Sequence, residues 1–142
     1  MGLLDKLKFQ VWDKPGAIVA LLDKWKPKDC SNERDFEKSL YAFLHSELGD
    51  IQVTKQYAKG RIRADLVIGD TVIVELKHNL DSTAKYQRLV GQLMEYKEWK
   101  GQTVVLLTGK TDPNLRKKLD TYLKKEGLAE DILEDKVTVY QK

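Results

Sequence analysis

The stretch from Arg61 to Lys77 constrains the fold more than any other part of the chain. Two strand-like runs, Arg61–Ile68 and Thr71–Lys77, are separated by Gly69-Asp70. In the first, Ile62, Ala64, Leu66 and Ile68 alternate with Arg61, Arg63 and Asp65; in the second, Val72, Val74 and Leu76 fall opposite Glu75 and Lys77. Successive side chains of a strand point to opposite faces, so the alternation predicts a hairpin with one apolar face and one charged face. Burying the two apolar faces together brings Asp65 close to Glu75 and Lys77. Register decides whether this happens. A plain two-residue turn at Gly69-Asp70 pairs Ala64 with Glu75 and puts Asp65 on the wrong face, because a one-residue slip flips every side chain. A three-residue loop, Gly69-Asp70-Thr71, sets Asp65 opposite Glu75. The pattern therefore predicts an odd loop or a bulge here.

The flanking segments supply the other elements. Ile51–Tyr57 reads as a further strand, joined to the next at Lys59-Gly60, which makes a meander of two hairpins. Upstream, Phe36, Leu40, Phe43, Leu44 and Leu48 recur at helical spacing, with Asn32 as cap and Gly49-Asp50 as stop. Downstream, Asp81 or Ser82 caps a long helix ending at Gly101, Thr103–Thr108 is a compact strand buried on both faces, and Asp112-Pro113 opens a helix that Gly127 ends. Lys136–Tyr140 reads as a last edge strand. The order α-β-β-β-α-β predicts an α/β sheet with helices packed on it. Residues 32–142 form this domain. Residues 1–31 read as a helical appendage, with Leu3, Leu4 and Leu7 on one short amphipathic turn and a second helix from Pro15 through Ile18, Leu21, Leu22 and Trp25.

Composition excludes several classes of function. At 142 residues, 42% hydrophobic and 33% charged, the chain is expected to be one globular domain. No apolar run approaches the roughly 18 residues of a membrane span. The opening residues lack a secretory pattern, and Lys6 breaks the myristoylation pattern, so a cytoplasmic protein is expected. Cys30 is the only cysteine, which rules out an internal disulfide and a thiolate metal cage; His45 and His78 are too few for a histidine-rich zinc site. Any metal is then a hard ion held by carboxylates, magnesium or manganese. Gly109-Lys110-Thr111 follows a strand, but a phosphate loop needs a glycine where Val104 stands, so no nucleotide cofactor is expected. A net charge of +3 does not itself identify a nucleic-acid partner; placement matters more than the sum.

Asp65, nine intervening residues and then Glu75-Leu76-Lys77 resemble the bipartite motif of the PD-(D/E)XK nucleases, the restriction-endonuclease-like superfamily. Ala64 stands where the proline that names the motif would be. Gln92-Leu93-Met94-Glu95-Tyr96 resembles the Gln-x-x-x-Tyr element of the RecB-like branch, on the helix after the motif. Glu37 looks like the family's helical acidic residue, with Glu33 one turn earlier as reserve. The resemblance covers roughly residues 32 to 108. It implies a restriction-endonuclease-like αβββαβ core with a mixed sheet, and a Mg²⁺- or Mn²⁺-dependent deoxyribonuclease. Asp65, Glu75 and Glu37 would hold the metal, Lys77 would orient or deprotonate the attacking water, and Gln92 and Tyr96 would flank the cleft.

Lys85, Arg88, Gln92, Tyr96 and Trp99 follow one helical stripe, which would direct Lys85 and Arg88 toward the DNA backbone. Lys59, Arg61 and Arg63 are further candidates for phosphate contact. With little beyond a core, a homodimer is expected from the resemblance. The alternative is a non-catalytic nucleic-acid-binding or protein-interaction module on the same fold.

Overall fold

The computed structural model describes residues 14–129 and 136–142. Helix α1 (Lys14–Lys24) and helix α2 (Glu33–Leu48) precede strands β1 (Val53–Lys59), β2 (Ile62–Ile68) and β3 (Val72–His78). Helix α3 (Thr83–Glu95) runs into a 3₁₀ turn (Tyr96–Glu98), followed by β4 (Gln102–Thr108), α4 (Pro113–Lys125) and β5 (Val137–Gln141). The five strands lie side by side in chain order. Strand β2 is antiparallel to both β1 and β3, whereas β4 runs parallel to both β3 and β5. This is the expected α/β class: a mixed sheet flanked by helices. Among the described residues, no helix is long and apolar enough to cross a membrane.

The local signals that start and stop the helices work as the sequence predicts. Asn32 caps α2 by accepting from the Asp35 N–H, Ser82 caps α3 through the Lys85 N–H, and Asp112 caps α4 ahead of Pro113. The helix expected to reach Gly101 is α-helical only to Glu95 and then tightens.

Each face of the sheet buries its own core. Leu66, Ile68, Val72, Val74, Leu76, Val104 and Leu106 pack with α1 and α2, while Val67, Ile73, Val105 and Leu107 pack with α3 and α4. The crossovers β3–α3–β4 and β4–α4–β5 advance the same way across the sheet. Connections of one hand then place both helices on one face, leaving the other for α1 and α2. Ile18, Leu21, Leu22 and Trp25 belong to that second layer, with the Trp25 indole N–H donating to Ser39 Oγ. Helix α1 and Trp25 are therefore packed into the core, where the sequence reading predicts an appendage. The expected turn at Leu3, Leu4 and Leu7 lies outside the described residues.

The β2–β3 turn carries the predicted odd residue. Gly69 and Asp70 both have positive φ (56° each), and the Thr71 N–H bonds back to the Ile68 carbonyl at 3.1 Å. That is the two-residue turn matching the twist of paired strands. Thr71 is then left over as a bulge, because Ile68 pairs with Val72 and Leu66 with Val74. The three-residue offset puts Asp65 opposite Glu75.

One expectation needs correction. Ile62 and Ala64 do not share a face with Leu66 and Ile68; they pack on the α3 side. The reason lies at Gln56, whose φ is 51°. Lys55 pairs with Leu66 and Tyr57 with Ala64, but Gln56 and Asp65 between them do not pair. A non-glycine residue at positive φ breaks the regular strand rotation. The outer half of the hairpin consequently turns across the α3 face, where Tyr57 stands edge-on to Trp99 (74°, centroids 5.8 Å apart).

Candidate active site at the β2–β3 gap

Asp65 occupies a break in both of its ladders. Its pairing with β1 is interrupted, and the β2–β3 ladder stops at Leu66 and Val74. Backbone donors left unpaired inside a fold need other partners, and here carboxylates provide them. Asp65 Oδ2 accepts from the Leu76 N–H at 2.9 Å, and Glu75 Oε2 accepts a long bond (3.4 Å) from the Asp65 N–H. Glu75 sits in the middle of the sheet, beside Val105 of β4, and only 1% of it is exposed.

The rest of the constellation gathers on Glu75. Lys77 Nζ lies 3.7 Å from Oε1, with its side chain 14% exposed. Gln92 Nε2 donates to Oε1 at 2.8 Å. The Tyr96 hydroxyl reaches Oε2 at 2.9 Å and the Arg63 carbonyl at 2.5 Å. Gln92 and Tyr96 stay on one side of α3 because a spacing of four is about one helical turn, even though Tyr96 itself begins the 3₁₀ turn. Asp65, Glu75, Lys77, Gln92 and Tyr96 thus form one connected cluster.

Burial governs its electrostatics. Desolvation disfavours the charged form of a carboxylate. It raises Asp65 from the ordinary 3.8 to about 6; the nearby charges of Glu37 and Glu33 push the same way, against the Leu76 N–H and Lys77. Burial also raises Glu75 from 4.5 to about 8, followed by repulsion from Asp65 and opposed by Lys77 and Tyr96. Tyr96 is held well above the ordinary phenol value, first by burial and then by the charge of Glu75. Two carboxylates are crowded together here with one ammonium against them.

Glu37 stands outside the pair. Its Oε1 accepts from the Gln56 side-chain amide, so it is felt by Asp65 as a charge and is not packed against it. Among the described residues, no three His, Cys, Asp or Glu side chains converge closely enough to hold an ion. The reserve acid Glu33 accepts the His78 backbone N–H at 3.2 Å.

The basic residues divide into two groups. Lys85 and Arg88 line a cleft of about 250 Å³ together with Lys77, Glu33 and His78. The Lys85 ammonium is tied to the Asn79 carbonyl and to Asp81, each at 3.0 Å, while Arg88 is exposed. Lys59 and Arg61 lie at the tip of the β1–β2 hairpin and line a different groove with Tyr57 and Trp99. Arg63 is exposed, with its guanidinium on the carbonyls of Gly60 and Ile62.

One participant, Gln56, is absent from the sequence expectation, and so are the contacts of another, His78. Gln56 both breaks the β1 ladder and holds Glu37, yet a glutamine in a strand carries no signal for positive φ. His78 lies against Phe36 at a tilt of 32° (centroids 4.7 Å apart) and meets Thr108 Oγ1 through Nδ1 at 3.0 Å. These contacts place it at the edge of the cleft, with both partners remote in the chain.

No protein-family model matches the chain, and no curated protein matches it. Among solved structures the chain is similar to SfsA of Pyrococcus furiosus, determined in complex with Ca²⁺. Identity is 17% and the TM-score 0.45, over 76% of this chain and 54% of that one. The chain spans about half the length of that protein.

Proposed function

We propose that the chain is a metal-dependent nuclease that hydrolyses DNA phosphodiester bonds at the Asp65–Glu75 pair, with Mg²⁺ or Mn²⁺ as cofactor. The observation that carries this reading is the convergence of Asp65, Glu75 and Lys77 at the gap between β2 and β3, with Gln92 and Tyr96 both anchored on Glu75. A hard divalent cation fits the donor set. The two carboxylates present only oxygen ligands, and burial leaves them short of compensating positive charge. Gln92 Oε1 is buried without a hydrogen-bond partner, so it is free to accept from a water beside the carboxylates.

A cation bound there supplies a more acidic water and neutralises charge on the phosphate. The chain's own residues do the rest. Asp65 and Glu75 would hold the ion, while Glu37 would reinforce the negative potential from outside. Gln92 and Tyr96 fix the plane of the Glu75 carboxylate. Lys77, beside Glu75 and partly open to solvent, orients the attacking water. Lys85 and Arg88 hold the DNA backbone along the adjoining cleft, and Lys59, Arg61 and Arg63 hold it on the hairpin side. With one carboxylate pair per chain, cutting both strands calls for two copies, and a homodimer is part of the proposal.

One observation favours a non-catalytic reading: both oxygens of Glu75 already have protein partners. A carboxylate offers about four lone-pair positions; Gln92, Tyr96 and the Asp65 N–H take three, and Lys77 at 3.7 Å is beyond hydrogen-bond reach, so one position remains for a metal. Nicking of supercoiled plasmid in Mg²⁺ by wild type and by Glu75→Ala tests the choice. Metal-dependent nicking lost in the variant supports the nuclease. A wild-type protein that binds DNA and cuts neither plasmid, branched nor single-stranded DNA contradicts it in favour of a binding module.

A further inference from the structure

The second groove has a chemistry that the catalytic pair does not use. It is a cavity of about 300 Å³ between the tip of the β1–β2 hairpin and the 3₁₀ turn, at the small end of sites for small ligands. Two kinds of group meet in it. Tyr57 is half-buried and lines the groove, and Trp99, only 6% exposed, meets it in a T-shaped pair (74°). Around these rings are Lys59, Arg61 and Lys100 against a single acid, Glu98. Lys100 Nζ lies 5.8 Å from the centre of the Trp99 ring.

A half-buried aromatic ring in a groove rimmed by excess positive charge matches a flat base carrying a phosphate. Stacking on such a ring requires a base whose own faces are not covered by neighbours in a duplex. The groove is also joined to the catalytic pair. The kink at Gln56 and Asp65 that opens the β2–β3 gap is the same kink that turns Tyr57 toward Trp99. Tyr96 ties the two regions together, bonding Glu75 on one side and the Arg63 carbonyl of the hairpin on the other.

We propose that this groove binds an unpaired nucleotide, so that the preferred DNA is single-stranded or carries a single-stranded segment. Its link to cleavage rests on the nuclease reading; the binding itself does not. The test is fluorescence anisotropy of the full chain, without metal, using labelled oligothymidylate and a blunt duplex of equal length. Wild type is expected to bind the single strand about tenfold more tightly than the duplex, in line with the contribution of one stacked base. Tyr57→Leu and Lys100→Ala should weaken single-strand binding severalfold with little change for duplex, and Tyr57→Phe should retain it; melting temperatures confirm that each variant is folded. Equal affinity for the two DNAs overturns the proposal. So does a Tyr57→Leu protein that binds single strand as well as wild type, or loses both DNAs equally. Tighter binding of RNA or polyglutamate reassigns the groove to another partner. A protein that prefers single strand but never cuts keeps this proposal and overturns the nuclease reading; one that cuts with no such preference does the reverse.

Discussion

At the scale of single residues, Glu75 is the group on which everything else depends, and its burial gives a prediction with a definite sign. Its folded value is raised from 4.5 to about 8, and that of Asp65 from 3.8 to about 6. Between about pH 4 and pH 8 the folded chain thus keeps protons that the unfolded chain has released. Stability falls with rising pH wherever the folded state binds more protons. The stability these groups contribute is full below about pH 4 and is lost as pH rises through about 6 and then about 8. Glu75→Gln removes one of them, so the metal-free wild type should lose stability relative to this variant as pH rises from 4.5 to 8. Mg²⁺ should restore wild type at pH 8 and do less for the variant. Denaturant titrations across that range check both statements; parallel profiles with and without metal contradict them. Tyr96→Phe acts through a neighbour. It removes the one hydroxyl placed between Glu75 Oε2 and the Arg63 carbonyl, which should cost about 1–3 kcal/mol of stability. As a residue that positions a ligand, it should lower metal affinity or cleavage by about 10–100-fold, read as the Mg²⁺ dependence of the rate.

At the scale of elements, most of the site was legible because it rests on alternation and helical period. The run Arg61–Lys77 contains its own register, and the left-over Thr71 was forced by the need to bury Leu66 with Val74 while keeping Asp65 opposite Glu75. Gln92 and Tyr96 met Glu75 because a spacing of four holds across the end of α3. The kink was not legible. It depends on the backbone at Gln56, and its result, Ala64 and Leu66 on opposite faces, violates the alternation on which the strand was recognised. The close approach at Gly101 was equally hidden. A Cβ there would stand 1.7 Å from the Thr71 carbonyl oxygen, the group that also accepts the Trp99 indole N–H and the Gln102 N–H. Gly101→Ala must move backbone at the β2–β3 turn and should destabilise the fold by about 1–3 kcal/mol. A thermal melt unchanged from wild type would contradict that packing.

At the scale of the whole molecule, the sheet is closed on both faces, and this settles the place of the first described helix. A polar linker from Pro27 to Asn32 reads as a boundary in sequence, yet Trp25 and Leu22 are buried under β3 and β4. Lys142 at the other end of the chain bonds to the Leu22 carbonyl (2.7 Å), and Tyr140 bonds to Asp23. Removing residues 1–31 should therefore abolish cooperative unfolding, and Trp25→Ala alone should cost about 3–5 kcal/mol; calorimetry distinguishes this from a dispensable appendage, which would leave the transition intact. The same architecture places Lys77 and the cleft beside it toward the carboxyl end of β3, where open α/β sheets form crevices, with Glu75 at the midpoint of that strand.

The most direct test of the central claim is the rate of supercoiled plasmid nicking as a function of Mg²⁺ concentration, for wild type and for Glu75→Gln confirmed as folded by its melting transition. A nuclease built on the Asp65–Glu75 pair predicts a saturable, Mg²⁺-dependent rate for wild type and no detectable rate for the variant. Equal rates for the two proteins, or a wild-type rate that does not respond to metal, would contradict it.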